Sequence, residues 1–250
     1  MSSNDTETVR MVTMDEYKEV ARCLAEAFEK DDVARYAIDT PDQAHLSSQE
    51  KWELHLETME YLVCAHILKG MVTTVGADYA SVAMWMPPGY HWPWWVYFRS
   101  GMWRLSFKFG VEAKKRFFKE FLPLLHDAKA EVLGDRDDES WYLVYLGTKS
   151  SAKGKGYARK LAHRAWILTP TCVQADAENR ATYLESSNDI NPKIYQKFGF
   201  EIRKQIYLNR GPKPIRMDIM VREAVRPTIN GSSALQGGVA SLENASRAIA

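Results

Sequence analysis

Three cysteines in 250 residues, Cys23, Cys64 and Cys172, are too few and too far apart for a disulfide framework or a cysteine-based metal site. The six histidines add no ligand spacing, so no metal is expected. No run of about twenty apolar residues occurs, which excludes a membrane-spanning helix. Met1 to Arg10 are polar and lack the apolar stretch of a secretory signal, so a cytoplasmic location is expected. The chain also lacks the basic excess of a general nucleic-acid binder: 33 basic residues face 32 acidic ones, for a net charge of +1. No internal repeat is visible. What is present is an ordinary globular share of apolar residues, 46%, enough for a sizeable core. The length fits one large domain or two small ones.

Read in order, the chain predicts a polar tail over residues 1–8, a short strand from Val9 to Thr13, and a helix from Met14 to Glu29 with Tyr17, Val20, Ala21, Leu24 and Phe28 on one stripe. Lys30 to Ser48 reads as a long loop with short turns, and Gln49 to Leu68 as a second amphipathic helix stopping near Gly70. Met71 to Gly76 and Tyr79 to Met86 flank a Gly-Ala-Asp turn and predict an antiparallel hairpin ended by Pro87-Pro88-Gly89. A helical insert follows over about residues 90–134, read as two helices and holding Trp92, Trp94, Trp95 and Trp103, with Trp85 just before it. Then come a strand from Trp141 to Thr148, a helix from Lys155 to about Leu168 that Pro170 should break, a resumed helix over Cys172 to Asn179, and a strand from Ala181 to Ser187. Asn191-Pro192 predicts a helix start, with Asn191 at the cap, and Gly199 its stop. Strands from Glu201 to Leu208 and Ile215 to Val221 close the domain, and residues 226–250 read as a disordered tail. The order β-α-α-β-β-insert-β-α-β-α-β-β implies an α/β chain with a mixed sheet and helices on both faces.

Chemistry concentrates in Lys153-Gly154-Lys155-Gly156-Tyr157-Ala158, between a strand and a helix. Glycines at such a turn leave backbone N–H groups bare at a helix N-terminus, where the dipole favours a phosphate. Two common phosphate loops fail. A Walker A loop counted from Gly147 finds Ala152 at its second glycine and Gly154 after its lysine. The dinucleotide pattern G-x-G-x-x-G finds Arg159 at its third glycine.

The segment is similar instead to the [QR]-x-x-G-x-[GA] loop of the GNAT acetyltransferase superfamily, with Lys153 in the first position and Gly156 and Ala158 in the last two. Downstream, Asn188, Tyr195 and Gly199-Phe200-Glu201 fall at the N-x6-Y-x3-G-F-E spacing that members often carry. Met84 to Gly89 resembles fungal members, and Tyr183 to Ser187 resembles the preceding strand of the family. Two motifs in the right order on the right elements support each other. The likeness covers roughly Val9 to Glu223. Departures are Lys153 for Gln or Arg, Ser150 where many members have proline, Pro170, and the Trp-rich insert.

The resemblance implies one GNAT domain over residues 9–223, with a mixed, mostly antiparallel central sheet, and a cleft where strands 141–148 and 181–187 splay apart. It implies acetyl-CoA as co-substrate. The pyrophosphate would sit on the amides of Gly154, Lys155, Gly156, Tyr157 and Ala158 beside Lys153, and the pantetheine arm along Leu146, Gly147 and Thr148. Tyr195 becomes the candidate acid for the leaving thiolate, its alternative being a core tyrosine bonded to a carbonyl. Asn188 either contacts the cofactor or shapes its loop. Glu185 is the candidate base, its alternatives a structural ion pair or an ordinary buried carboxylate contact. Asp31, Asp32 and His91 lie on predicted loops and read as solvated, and the remaining histidines as surface or helix-face residues. The tryptophans have three readings: packing the insert, walling an acceptor pocket, or forming an exposed patch, with Arg99, Arg104, Lys108, Lys114, Lys115 and Arg116 interleaved.

The function expected is transfer of acetyl to a primary amine on a small molecule such as an amino sugar, polyamine, amino acid or amine toxin, by a monomer or homodimer. Two rivals stand beside it. A protein acetyltransferase needs an open peptide groove, and a non-catalytic domain would bind acetyl-CoA without transfer.

Overall fold

Seven strands make one sheet: β1 (Arg10–Met11), β2 (Met71–Val75), β3 (Ser81–Met86), β4 (Trp141–Thr148), β5 (Thr182–Ser186), β6 (Glu201–Leu208) and β7 (Ile215–Arg222). They come from a computed structural model that describes residues 8–89, 91–163 and 171–225. Their order is β1-β2-β3-β4-β5-β7-β6, and every neighbouring pair is antiparallel except β4 and β5. Residues 1–7 of the expected tail over 1–8, the expected tail over 226–250, the helix beyond His163 and the Pro170 break lie outside the described residues.

Alternation along the strands sorts side chains to two faces. Val82 and Met84 of β3 face a layer containing Val20 and Leu24 of α1 (Tyr17–Phe28) and Met59 and Val63 of a long helix, Ser48–Lys69. Their neighbours Ala83 and Trp85 face the opposite layer, with Tyr157 and Leu161 of the helix Tyr157–His163 and Ala175 of the helix Thr171–Ala177. Between α1 and the long helix runs α2 (Asp32–Tyr36), a short helix within what was expected as a long loop with short turns. Asp31 caps it, its Oδ1 accepting the N–H groups of Val33 and Ala34 at 2.9 and 3.0 Å. The long helix, α3, starts on a capping box in which Ser47 and Glu50 satisfy each other's backbone N–H groups. It ends at Gly70, where a Cβ would come 2.8 Å from the Trp85 carbonyl.

The insert departs from the two helices expected. It runs as α4 (Trp94–Ser100), a 3-10 turn (Met102–Arg104), α5 (Leu105–Lys108), α6 (Val111–Lys114), a π-helical stretch (Lys115–Phe121) and α7 (Leu122–Leu133). Its breaks fall at glycines. Gly101 takes φ +86 and a Cβ there would meet the Tyr61 ring at 2.9 Å. Gly110 leads into α6 where a Cβ would strike the Asp42 carboxylate. Buried Val96, Met102, Leu105, Phe109 and Ala113 pack on Leu54, Tyr61 and Ala65 of α3, so the insert covers a second face of that helix. Arg116, one of the basic residues interleaved with the tryptophans, is buried and donates to the carbonyls of Tyr36 and Asp39 at 3.1 and 3.2 Å. It thereby ties the insert to α2.

The crossover from β4 to β5 carries α8 (Tyr157–His163) and α9 (Thr171–Ala177), and α10 (Asn191–Gln196) follows β5. Arg222 of β7 holds this side together, making two 2.7 Å bonds to Asp176 of α9 and one of 3.1 Å to the Phe198 carbonyl. Asp176→Ala takes a carboxylate from a buried guanidinium and is expected to cost about 3 kcal/mol, read as a lower midpoint in urea with an unchanged slope.

Candidate active site

β4 and β5 pair only over Trp141–Leu143 against Thr182–Leu184, and beyond that they part. A bulge bends β4 at this point. Its register against β3 passes from Tyr145 opposite Met84 to Leu143 opposite Trp85, so Val144 is the extra residue. Past the bulge α1 closes on the strand, and a Cβ on Gly147 would lie 2.9 Å from Leu24 and 3.0 Å from Ala27. The end of β4 is tied to β3 by the Ser81 hydroxyl, 2.9 Å from the Gly147 carbonyl and 2.7 Å from the Thr148 hydroxyl. The other edge of β4 faces the gap with no strand beside it. Such an edge can pair an extended ligand as an added strand.

The gap opens into two connected spaces. One is a groove of about 1010 Å3, lined by Leu146, Gly147, Thr148, Lys153, Gly154, Gly156, Tyr157, Ala158, Asn188 and Tyr195 among others. The expected cofactor residues thus converge, except Lys155, which is absent from the lining. Its amide is turned back to the Ala152 carbonyl at 3.4 Å. Gly154 and Gly156 take φ +82 and +74, with open space where a Cβ would stand. Their N–H groups, and those of Tyr157 and Ala158 in the first turn of α8, have no hydrogen-bond partner among the described residues. Bare amides, a helix N-terminus and Lys153 together suit a phosphate.

Asn188 serves the loop. Its Oδ1 accepts the N–H groups of Ile190 and Asn191 at 2.8 and 3.0 Å, fixing the entry to α10. Asn191 itself is the first helical residue rather than the cap, because Asn188 already supplies the acceptor.

The second space, about 280 Å3, lies on the insert side. Glu185 stands in it, one residue past the last β4–β5 pair. Burial pushes its carboxyl up to about 7, while the phenols of Tyr142 and Tyr183 and the charge of Lys129 pull it part of the way back. No ion pair to Glu185 occurs among the described residues, against that alternative for it. Tyr195 borders both spaces. Its ring packs on Phe200 at 5.8 Å and no carbonyl among the described residues bonds its hydroxyl. Burial raises its pKa above the ordinary value.

Two residues on the cavity wall had been read otherwise from the sequence. Asp31 is no solvated loop residue: its Oδ2 accepts the Ser187 hydroxyl at 2.5 Å, and it borders both spaces. The sequence signal was a capping aspartate just ahead of a short apolar run. Asp32 and His91 are exposed as expected, near Lys213 and Asp138. His66 is buried instead of lying on an outer helix face; its Nδ1 is 2.7 Å from the Leu62 carbonyl, and burial pushes its pKa down to about 4. His55 is likewise buried, 3.0 Å from the Ala25 carbonyl.

The tryptophans divide among all three expected roles: Trp92 and Trp95 pack on the buried cluster of the insert, Trp92 also lines the cavity, and Trp94 and Trp103 are exposed, while Trp85 belongs to the core on the opposite layer.

No family model matches the chain. An uncharacterized N-acetyltransferase from Schizosaccharomyces pombe is 43% identical over 215 residues, covering 86% of this chain and 82% of that protein. Among solved structures, arylalkylamine N-acetyltransferase 2 from Aedes aegypti superposes with a TM-score of 0.54 at 15% identity, over 87% of this chain and 98% of that one. A polyamine N-acetyltransferase from Drosophila melanogaster gives 0.53 at 10% identity, over 86% and 99%. The structures share the fold, and the yeast relative shares the sequence across most of its length. The chain belongs to the GNAT superfamily of N-acetyltransferases and is an acetyltransferase enzyme.

Proposed function

We propose that this enzyme moves acetyl from acetyl-CoA to the primary amine of a small, largely apolar molecule. The observation that carries the reading is the junction of groove and cavity. Phe28, Asp31, Leu146, Ser187, Asn191 and Tyr195 line both, so a thioester in the groove and an amine in the cavity would meet beside Tyr195. The bare amides from Gly154 to Ala158 would hold the pyrophosphate, and the free edge of β4 the pantetheine arm.

Acetyl-CoA supplies an activated acetyl group as a thioester. Transfer needs the acceptor as a neutral amine, a donor at the carbonyl oxygen, and a proton for the leaving sulfur. Glu185, with its pKa near neutrality, takes the proton from the entering ammonium. The nitrogen then forms its bond to the carbonyl carbon and the carbon–sulfur bond breaks. A backbone N–H on the free edge of β4 faces the carbonyl oxygen. Tyr195 gives its proton to the departing sulfur, and the second proton, which the acylated nitrogen sheds to become the amide, returns to the Tyr195 phenolate. The raised pKa of the phenol keeps its proton in place until the thiolate forms, and the same burial that raises the phenol raises the thiol.

The lining selects the acceptor. Among the described residues its only carboxylates are Asp31 and Glu185, and it contains no lysine or arginine. An amine is drawn in, while a free amino acid would bury its carboxylate without a cation. A polyamine would leave a second ammonium against Phe117, Phe121 and Leu125. An amino sugar would desolvate several hydroxyls with few partners. At about 280 Å3 the space is at the small end for ligand cavities, suited to a one- or two-ring body with a short amine arm. The amine toxins among the expected acceptors fit best.

Tyr195→Phe tests the assignment of the acid. Thiol release should fall about 100-fold while the acetyl-CoA dissociation constant moves less than about twofold. Equal turnover would remove Tyr195 from the reaction.

A further inference from the structure

The exposed side of the insert carries a connected row of large aromatic rings. Trp94 is 80% exposed, Phe98 64%, Trp103 40% and Phe107 79%. Trp94 and Phe98 are one turn apart on α4 and so share a face. Phe98 stacks on Trp103 at 5.9 Å, and Trp103 meets Phe107 edge-on at 6.0 Å. Water faces all four. Isolated exposed rings need no explanation, but a continuous row of four marks a surface that meets something else.

Charge says what. From Trp94 to Lys119 the sequence holds seven basic residues, Arg99, Arg104, Lys108, Lys114, Lys115, Arg116 and Lys119, and a single acid, Glu112. That acid is already engaged by Arg210 and Arg116 at 3.2 and 3.5 Å. Arg116 is buried and Lys108 is paired with Glu57 at 2.5 Å. Arg99, Lys115 and Lys119 are exposed, with no acidic partner among the described residues; Arg104, also exposed, lies near Glu57, with its guanidinium 5.2 Å over the Trp103 ring. Nearly all the charge along this segment is positive, in a chain whose net charge is only +1. Tryptophan and phenylalanine on short helices, with arginine and lysine between them, suit the boundary between acyl chains and anionic headgroups. The same turns reach the cavity: Tyr97, between Trp94 and Phe98, and Met102, beside Trp103, line it.

We propose that this face of the insert docks on an anionic lipid surface, with Trp94, Phe98, Trp103 and Phe107 seated at the headgroup boundary. The cavity then opens beside the lipid, where apolar amines concentrate. The docking itself is independent of the acceptor reading, because it can be measured without acetyl transfer.

The test is flotation of the full chain with vesicles of phosphatidylcholine plus phosphatidylserine, against phosphatidylcholine alone. The protein should float with the mixed vesicles, more weakly with the neutral ones, and less as salt rises. The double variant Trp94→Ser, Phe107→Ser should lose about tenfold or more in partition, with thiol release toward a soluble amine unchanged. Arg99→Glu should lose about tenfold on the mixed vesicles only. Absence of flotation with the mixed vesicles, or a double variant that floats as well as the parent, would overturn the proposal. So would a dimer in sedimentation velocity that the double variant dissolves, since the face would then belong to a second copy.

Discussion

Glu185→Gln is expected to lower kcat by about 10²- to 10⁴-fold, the range over which a positioned general base acts. The amide keeps the shape and cannot take a proton. In the parent, Glu185 is protonated and useless as a base well below pH 7, so kcat/KM should rise with pH through about 7 and then level. An alkylamine titrates near 10, so a limb at about 7 belongs to the protein. The variant should lose that limb together with its rate. A stability readout separates this from damage to the fold. The folded-state pKa lies above the ordinary 4.5, so between 4.5 and about 7 the folded protein holds a proton that the unfolded chain has released. Stability therefore falls as pH rises through that window, by at most about 3 kcal/mol. Glu185→Gln should melt above the parent at pH 8 and close to it near pH 4.5. A variant that loses activity and also melts lower at pH 8 would point to a structural carboxylate.

Gly156→Asp is expected to weaken acetyl-CoA binding at least about 100-fold while the chain still folds. Gly156 holds φ +74 with open space where a Cβ would go, so a side chain meets no atom and costs only backbone strain. Aspartate tolerates that region better than most residues, and the cost should be about 1 kcal/mol. The loss in binding comes from charge. A carboxylate beside the bare amides of Gly154, Gly156, Tyr157 and Ala158 would compete for them and repel the pyrophosphate. Titration calorimetry with acetyl-CoA and a melting curve read the two effects separately. Unchanged affinity would mean that this loop does not hold the phosphates.

Much of the frame was legible in the sequence because local signals agreed with one another. Strand Trp141 to Thr148 is found with the expected bounds, and the hairpin before the insert, the glycine turn and the Gly199 stop all stand where composition put them. The rest depended on contacts distant in sequence. The insert kept an apolar helical period through Gly101 and Gly110, and what breaks it there is crowding from Tyr61 and Asp42, elements the periodicity cannot see. His66 reads as a helix-face residue because a single helix has an outside. In the fold α3 is covered by α1 and the sheet on one face and by the insert on another, which leaves His66 buried. Asp31 read as a loop residue because its partner, Ser187, is 156 positions away. Lys155 looked like part of the cradle by sequence position, yet the turn that exposes the glycine amides spends its own amide on Ala152. The bulge at Val144, which opens the cleft, left no mark in the strand's pattern.

The central claim is that this cleft joins an acetyl thioester to an amine carried on an apolar body. It is tested most directly by free-thiol release from acetyl-CoA with the purified protein and a panel of a phenylalkylamine, spermidine, glucosamine, free lysine and a histone peptide. The account predicts release with the phenylalkylamine, well above that with the polycationic and sugar amines. Release with the peptide alone, or acetyl-CoA bound with no thiol released by any amine, would contradict it.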